Sequence, residues 1–521
     1  VAGGLLALRR YPEALQQFRW SALWELFDGD RHHLNIAHEC VDRHPPAQPA
    51  LRIAGADGGR EEITFGELSA WSSRFANFLA AEGVARGDRV GIMLEPSLLF
   101  YAALFGTIKR GAVAVPLFTL FGPEGLALRL DDCRPRLLLV TREFTGRQAL
   151  ASDIRVVVDD AAFRARLEGE TSHHAPETAA DDLAVFQYTS GTTRALPEAV
   201  RHTHRAVVTL MVAALYGVGL EPDDRYFCPS SPAWGHGLWH GTIAPLALGI
   251  AAGAYSGKFE AGRLLDALER FEITNLAAAP TVFRLLAREA DVGRRRFHLR
   301  KISFTGEPMD DGTWDFIERT LGVTPCSMYG STEVGVIIVN YPGFSGYAVR
   351  RGALGRAAPG WEVAIIGERG QPVSPGQRGE IAVRRKESWF CVKDRGRQDA
   401  DGYFYLDGRS DDVIISAGWT MSALEIENAL LGHPAVREAA VIGVPDPLRG
   451  QIPKAFVVAT REGPEFAREL QDHVRARLSQ HEYPRSLELV GELPRTPAGK
   501  INRKALRDQA LAALPRPGEI A

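Results

Sequence analysis

Between Thr64 and Leu117 the hydrophobic pattern switches between two periods. Leu68, Trp71, Phe75, Phe78 and Leu79 recur at helical spacing behind Thr64, a residue type suited to capping a helix, and Gly83 closes the segment. Residues 89–94 then read as a strand, 97–110 as a second helix ending at Gly111, and 112–117 as another strand. This strand-helix-strand rhythm predicts α/β organisation. Further short strands are expected at 136–140, 155–158, 184–188, 273–277, 302–304 and 324–328, alternating with helical windows. Three of them run into polar, glycine-containing loops at 189–193, 305–308 and 329–333. Ligands of open α/β sheets bind outside the carboxyl ends of strands, so the three loops are expected to converge on one site.

From Gly343 to Gly408 the texture turns glycine-rich and β-like, as in Trp361-Glu-Val-Ala-Ile-Ile366 and Gly379-Glu-Ile-Ala-Val-Arg384. Beyond it the α/β alternation resumes on a smaller scale. Ser422-Ala-Leu-Glu425 is a capping box for a helix that stops at Gly432-His433-Pro434, and Phe466, Leu470, Val474 and Leu478 mark a further helix. The expected fold class is therefore α/β. A large N-terminal domain, 1–408, holds α/β sheets and a β-rich subdomain at about 343–408, and a smaller α+β C-terminal domain covers 409–521.

A chain of 521 residues is long enough for such domains, and 45% hydrophobic with 24% charged residues excludes wholesale disorder. Lys and Arg number 61 against 64 Asp and Glu, a net charge of −3, which gives no broad field for nucleic acid. The five cysteines (Cys40, Cys133, Cys228, Cys326 and Cys391) lie far apart with no Cys-x-x-Cys pair, so a reducing cytoplasm fits better than a disulfide framework or a zinc site. The longest apolar stretches free of charge, near 206–220 and 241–256, fall short of the ~18–20 residues that span a bilayer and read as core. The short apolar run at 1–8 lacks a basic start, so secretion is not expected. A homodimer is compatible with the sequence, which fixes no oligomeric state.

The most informative segment is Tyr188-Thr-Ser-Gly-Thr-Thr193, directly after a strand. Small residues let backbone N–H groups approach a phosphate, and hydroxyls add donors. Alone, a loop of this composition is more often a turn. It does not match Gly-x4-Gly-Lys-[Ser/Thr], which disfavours a P-loop NTPase, and no Gly-x-Gly-x-x-Gly follows a strand, which disfavours a dinucleotide oxidoreductase.

Its companions change that weighting. They run, in order, Trp234-Gly-His-Gly237, Thr305-Gly-Glu-Pro308, Tyr329-Gly-Ser-Thr-Glu333, Gly355-Arg-Ala-Ala-Pro-Gly360, Asp401-Gly-Tyr-Phe404, Gly408-Arg-Ser-Asp-Asp412 and Pro494-Arg-Thr-Pro-Ala-Gly-Lys500. This series resembles the adenylate-forming superfamily, and within it the acyl-CoA synthetases of the acetate, medium-chain and benzoate ligase kind. The resemblance implies activation of a small carboxylic acid with Mg-ATP to an acyl-adenylate and pyrophosphate. Rotation of the mobile C-terminal domain then lets coenzyme A attack, giving the thioester and AMP.

The resemblance also implies roles. Thr189, Ser190, Gly191, Thr192 and Thr193 would hold phosphate; Gly306, Glu307 and Pro308 would line the adenine; Tyr329, Gly330 and Ser331 would complete the nucleotide site. Thr332 would contact phosphate and Glu333 the Mg2+ ion, a hard cation that prefers oxygen. Lys500 would reach the carboxylate and α-phosphate oxygens, where a point charge on a long stem suits a transient contact. Asp394 would accept the ribose hydroxyls and Arg409 contact ribose or phosphate. Asp411 would be the hinge, Gly418 and Trp419 would border the CoA tunnel, and Trp234, His236 and Gly237 would line an acyl pocket whose bulk favours an aromatic or medium-length acid, straight or branched.

Two departures stand out. After Thr193 the family usually continues Gly-x-Pro-Lys-Gly, whereas this chain reads Arg194-Ala-Leu-Pro-Glu-Ala199, with an acid, Glu198, where a lysine is usual and Arg194 as the compensating charge. The Thr-Gly that often precedes the ribose-binding Asp is replaced by Val392-Lys393. Two alternatives therefore stand beside the ligase: an adenylating enzyme that hands its acyl group to a carrier protein or an amine, and a nucleotide-binding regulatory protein with impaired catalysis.

Overall fold

The computed structural model describes residues 5, 8–119, 121, 123–144, 154–188, 199–331, 334–409, 413–416, 419–446, 450–478, 483–496 and 499–513. The chain divides into two compact units. The first comprises Val1–Gly306, Phe316–Arg350 and Gly355–Gly360; the second comprises Glu307–Asp315, Arg351–Leu354 and Trp361–Ala521. The β-rich stretch expected at 343–408 thus falls largely in the second unit.

The first unit is built on two sheets. In one, Arg155–Val158, Leu137–Val140, Arg89–Met93, Val113–Pro116 and Leu183–Gln187 run parallel in that order, and Val200–Thr203 adds an antiparallel edge. In the other, Ala252–Tyr255, Tyr226–Phe227, Asn275–Ala278, Lys301–Phe304 and Pro325–Ser331 are parallel neighbours. Pro325–Ser331 then turns back as a hairpin with Gly335–Val339. Strands buried on both faces read as continuous apolar runs, as Leu137–Val140 does; Asn275–Ala278 is equally buried, with Asn275 Nδ2 donating to Asp224 Oδ2 at 3.0 Å.

The helix expected behind Thr64 spans Phe65–Ala81. Thr64 and Glu67 form a reciprocal capping box, satisfying two of the N–H groups a helix start leaves unpaired. Its buried face differs from the apolar pattern in one respect: Trp71 is only half-buried, beneath the Arg74 guanidinium at 5.5 Å, while Ser72 and Ser73 are buried. Both serines are paired. Ser72 Oγ donates to Leu68 O at 2.7 Å, and the buried Lys109 ammonium donates to Ser73 Oγ at 3.0 Å and Asp42 Oδ1 at 2.6 Å. The apolar stretch at 206–220 is buried as the helix Ala206–Val212 running into a wider π-helical turn, Ala213–Gly217. No helix among the described residues is long and apolar enough to cross a membrane.

The second unit contains a meander of Val363–Ile366, Arg378–Arg385, Ser388–Gln398 and Phe404–Arg409, all antiparallel. It also contains a sheet ordered Trp419–Ser422, Val413–Ser416, Gly450–Ala459 and Val436–Asp446, with Ser486–Leu489 parallel to Gly450–Ala459. Alternate residues of this sheet serve opposite faces. Ala439, Val441 and Val457 pack with Leu430, Phe466, Leu470 and Val474 of helices Ala423–Leu431 and Pro464–Arg477. Ala440, Ile442 and Phe456 pack with Leu506 and Ala510 of helix Arg503–Ala512.

Candidate functional site

Parallel pairing sets the first part of the site. Ile302, Ser303 and Phe304 lie opposite Pro325, Cys326 and Ser327, so residues 305–306 and 329–331 leave the same edge of the sheet side by side. Tyr329 is nearly buried. Gly330 sits opposite Val336 where the hairpin register shifts, so close to the returning strand that a Cβ there would lie 1.8 Å from the Gly335 carbonyl oxygen. Ser331 pairs with Gly335. Glu307 and Pro308 belong to the second unit, and Thr332 and Glu333 lie outside the described residues.

Thr189, Ser190, Gly191, Thr192 and Thr193, expected to hold phosphate, with Arg194 and Glu198, also lie outside them. The residues that bracket this segment are described, and they share one anchor. Tyr188 donates its hydroxyl to Asp132 Oδ2 at 2.7 Å and Arg129 O at 2.8 Å, and the Ala199 N–H donates to the same Asp132 oxygen at 3.1 Å. The Arg129 guanidinium covers Phe121 at 3.9 Å and Tyr188 at 5.6 Å.

One residue earlier, Gln187 joins this strand to the segment expected to line an acyl pocket. Trp239 Nε1 donates to Gln187 Oε1 at 2.7 Å, and the His202 ring lies 4.7 Å from the Trp239 ring. Trp239 belongs to a π-helical segment, His236–Ile243. Trp234 and His236 meet edge to face at 6.0 Å, and His236 and His240 approach to 5.9 Å. Ser230 Oγ and His236 Nδ1 are 2.9 Å apart, with Cys228 Sγ at 3.9 Å. Burial pushes the Cys228 thiol up to about 11 and holds His202 and His240 down at about 4, so all three are neutral at pH 7. Gly237 has a packing reason for lacking a side chain: a Cβ would sit 2.2 Å from Ser231 O and 2.3 Å from Ser230 O.

In the second unit, antiparallel register sets Asp394 directly opposite Arg409. Lys393, which stands where glycine is usual, adopts φ +65°, the left-handed conformation that glycine takes without strain, and its N–H donates to Glu380 Oε1 at 3.0 Å. Lys500 is carried on a tight turn. Thr496 N–H donates to Lys500 O at 2.7 Å, Asn502 N–H to Pro494 O at 2.7 Å, and Arg495 Nη1 to Gly499 O at 2.8 Å. Arg495 also pairs with Glu438 at 2.5 Å, and Asn502 caps the helix that follows. Asp411 and Gly418 lie outside the described residues; Trp419 opens the strand Trp419–Ser422.

One acidic cluster among the described residues, Glu221, Asp223 and Asp224, has ligand-like spacing. It is already neutralised: Lys301 lies 2.7 Å from Glu221 and from Asp224, Arg300 2.8 Å from Asp223, and Arg9 3.1 Å from Glu221.

The AMP-binding enzyme family matches residues 38–388, and its C-terminal domain matches residues 425–500. The chain belongs to the AMP-binding enzyme family. An uncharacterized acyl-CoA ligase of Bacillus subtilis (strain 168) is 31% identical over 88% of this chain and 92% of its own. An acyl-CoA synthetase structure from Brucella canis is 33% identical, covering 97% of this chain and 99% of its own with a TM-score of 0.76. An anthranilate CoA ligase solved in complex with anthranoyl-AMP is 28% identical, covering 95% and 100% with a TM-score of 0.85. The reaction class is that of the AMP-forming acid–thiol ligases, in which a carboxylate is adenylated and then transferred to coenzyme A.

Within the family ranges, Lys500 is the last matched residue, whereas Asp394 and Arg409 fall between the two ranges. Gln187, His202, His240 and Asp132 were not among the residues expected from sequence. For His240 a signal existed: it stands four residues after His236, the spacing that puts two side chains on one face of a helix.

Proposed function

We propose that this chain is an ATP-dependent ligase that joins an aromatic or medium-length carboxylic acid to coenzyme A, on the acyl wall of Trp234, His236 and Trp239. The observation that carries this reading is the 2.7 Å hydrogen bond from Trp239 to Gln187, which fixes that wall two residues before the start of the phosphate segment at Thr189. Adenylation needs this proximity, since the carboxylate must meet the α-phosphate. The bulky, largely aromatic side chains of the wall suit an apolar acyl body. The anthranoyl-AMP held by the anthranilate ligase relative supports an aromatic one.

In this reading residues 189–193 hold phosphate and Glu333 holds Mg2+. Lys500 offsets charge that develops at the α-phosphate. Asp394 and Arg409 receive the ribose, Asp411 is the hinge of a C-terminal domain beginning near 409, and Gly418 and Trp419 border the path of the CoA thiol. Five free cysteines support a reducing, cytoplasmic setting.

The test is pyrophosphate and AMP release with Mg-ATP against short, medium-chain, branched and aromatic acids, with and without CoA, plus mass detection of the thioester. Thioester that needs both ATP and CoA supports the ligase. Pyrophosphate release without thioester would instead indicate another acyl acceptor, and nucleotide binding with no pyrophosphate would indicate the regulatory alternative.

A further inference from the structure

His240 combines two properties that rarely coincide. It sits deep enough in the first unit for burial to hold its pKa at about 4, yet part of its surface stays accessible. Of its two ring nitrogens only Nδ1 is sealed, so the accessible edge of the ring carries Nε2. The His236 ring lies 5.9 Å from the His240 ring, and Trp234, two residues before His236, meets the His236 ring edge to face at 6.0 Å. The Tyr226 hydroxyl donates to the His240 backbone carbonyl at 2.9 Å, pinning the segment at this residue.

The ring nitrogens differ. Nδ1 is sealed from solvent and has no hydrogen-bond partner among the described residues. A neutral imidazole carries one N–H, and enclosing it without an acceptor costs more than enclosing a lone pair, because buried donors are the group proteins least often leave unpaired. The proton therefore belongs on Nε2, the ring nitrogen that is not sealed from solvent. His240 is a donor waiting for an acceptor.

Resting on the acyl-CoA ligase reading, we propose that His240 is a specificity residue whose Nε2–H selects acids with an oxygen acceptor on the acyl group, such as a hydroxyl, alkoxy or oxo substituent, over their hydrocarbon isosteres. A hydrocarbon group placed against Nε2 displaces water and strands the N–H; an oxygen satisfies it. His236 differs in that its Nδ1 is engaged with Ser230 Oγ at 2.9 Å and its Nε2 is sealed from solvent, so neither ring nitrogen is open to an acyl substituent.

The experiment compares methoxy- with ethyl-benzoates and hydroxy- with methyl-benzoates, each at the ortho, meta and para positions, and an ether-containing with an all-carbon medium-chain acid. Both kcat/KM and equilibrium binding of the acid to the full chain are read. The expected result is a preference for oxygen of about tenfold or more in at least one pair, falling to about onefold in His240→Leu and retained in His240→Gln, which keeps an N–H donor. The ATP KM is followed in parallel to separate pocket effects from damage to the fold. Absence of any oxygen preference, or its survival in a folded His240→Leu, would overturn the proposal. Binding preference that depends on His240 with no turnover of any acid would support the proposal and refute the ligase reading alone.

Discussion

Tyr188 and Asp132 are joined by a 2.7 Å hydrogen bond, and the Asp132 oxygen that accepts it also takes the Ala199 N–H. The two residues bracketing 189–198 thus hang from one carboxylate on the helix Pro123–Cys133. Tyr188→Phe and Asp132→Asn are each expected to raise the ATP KM several-fold with less effect on the acid KM. The double variant should be less than additive by about 1 kcal/mol. Steady-state kinetics in a double-mutant cycle measures this; strict additivity would show that the pair does not act as one anchor.

Lys393 holds φ +65° one residue before Asp394. Lys393→Gly should therefore raise stability by roughly 0.5–1 kcal/mol, and Lys393→Val should lower it by more than that, since β-branching is least tolerated at positive φ. Urea unfolding of the full chain reads both. If glycine destabilises, the strain is not there.

Gly330 and Gly237 are needed for closeness. Ala at Gly330 would bring Cβ to 1.8 Å from the Gly335 carbonyl oxygen, and at Gly237 to 2.2 Å from Ser231 O, whereas a Cβ at Gly293 meets nothing within 4 Å. Gly330→Ala and Gly237→Ala are expected to cost at least ~3 kcal/mol, and Gly293→Ala to stay within ~0.5 kcal/mol. Thermal midpoints of the three variants decide it.

Four histidines, His44, His202, His204 and His240, are held at about 4 by burial. Unfolded histidine binds protons below about 6.5, so between about 6.5 and 4 the unfolded state carries more protons and stability must fall as pH falls. Above about 6.5 their contribution is complete. For the fully buried His204 the span from 6.5 to about 4 corresponds to roughly 3 kcal/mol. Chemical denaturation between pH 7.5 and 4.5 should show this decline, with a shallower slope in His204→Gln.

Lys500 is the charge assigned to the adenylation step. Lys500→Ala is expected to cut acid-dependent pyrophosphate release by about 10²–10³-fold while leaving the thermal midpoint within a degree or two. A variant with near-normal release would remove Lys500 from the chemistry.

Much of the fold was legible because local signals and burial agreed. Thr64 with Glu67 three residues on fixed one helix start, and runs such as Leu137–Val140 admitted a buried strand. Where side chains are satisfied by distant partners the sequence is silent. The buried Ser72 and Ser73 depend on Leu68 O and on Lys109, and the half-exposed Trp71 lies under Arg74 instead of in the core. In the candidate site, the pairing of Asp394 with Arg409 is a matter of strand register across a turn, and the Asp132 anchor lies 56 residues from Tyr188. Neither distance can be counted along the chain. The Val392-Lys393 departure, read alone, weakens Asp394; the backbone shows the glycine-like conformation kept without the glycine.

The π-helical segment His236–Ile243 bears on how relatives are to be compared. A π turn holds one more residue than an α turn over the same axial length, so a relative lacking that residue would rotate everything beyond it by about 100°. A histidine in the aligned column of such a protein would then lie on a different side of the segment, and its true counterpart would be the neighbour. Transplanting residues of this segment between ligases is therefore a question of residue count before residue identity. A single deletion between 236 and 240 should alter acid preference more than any one substitution there.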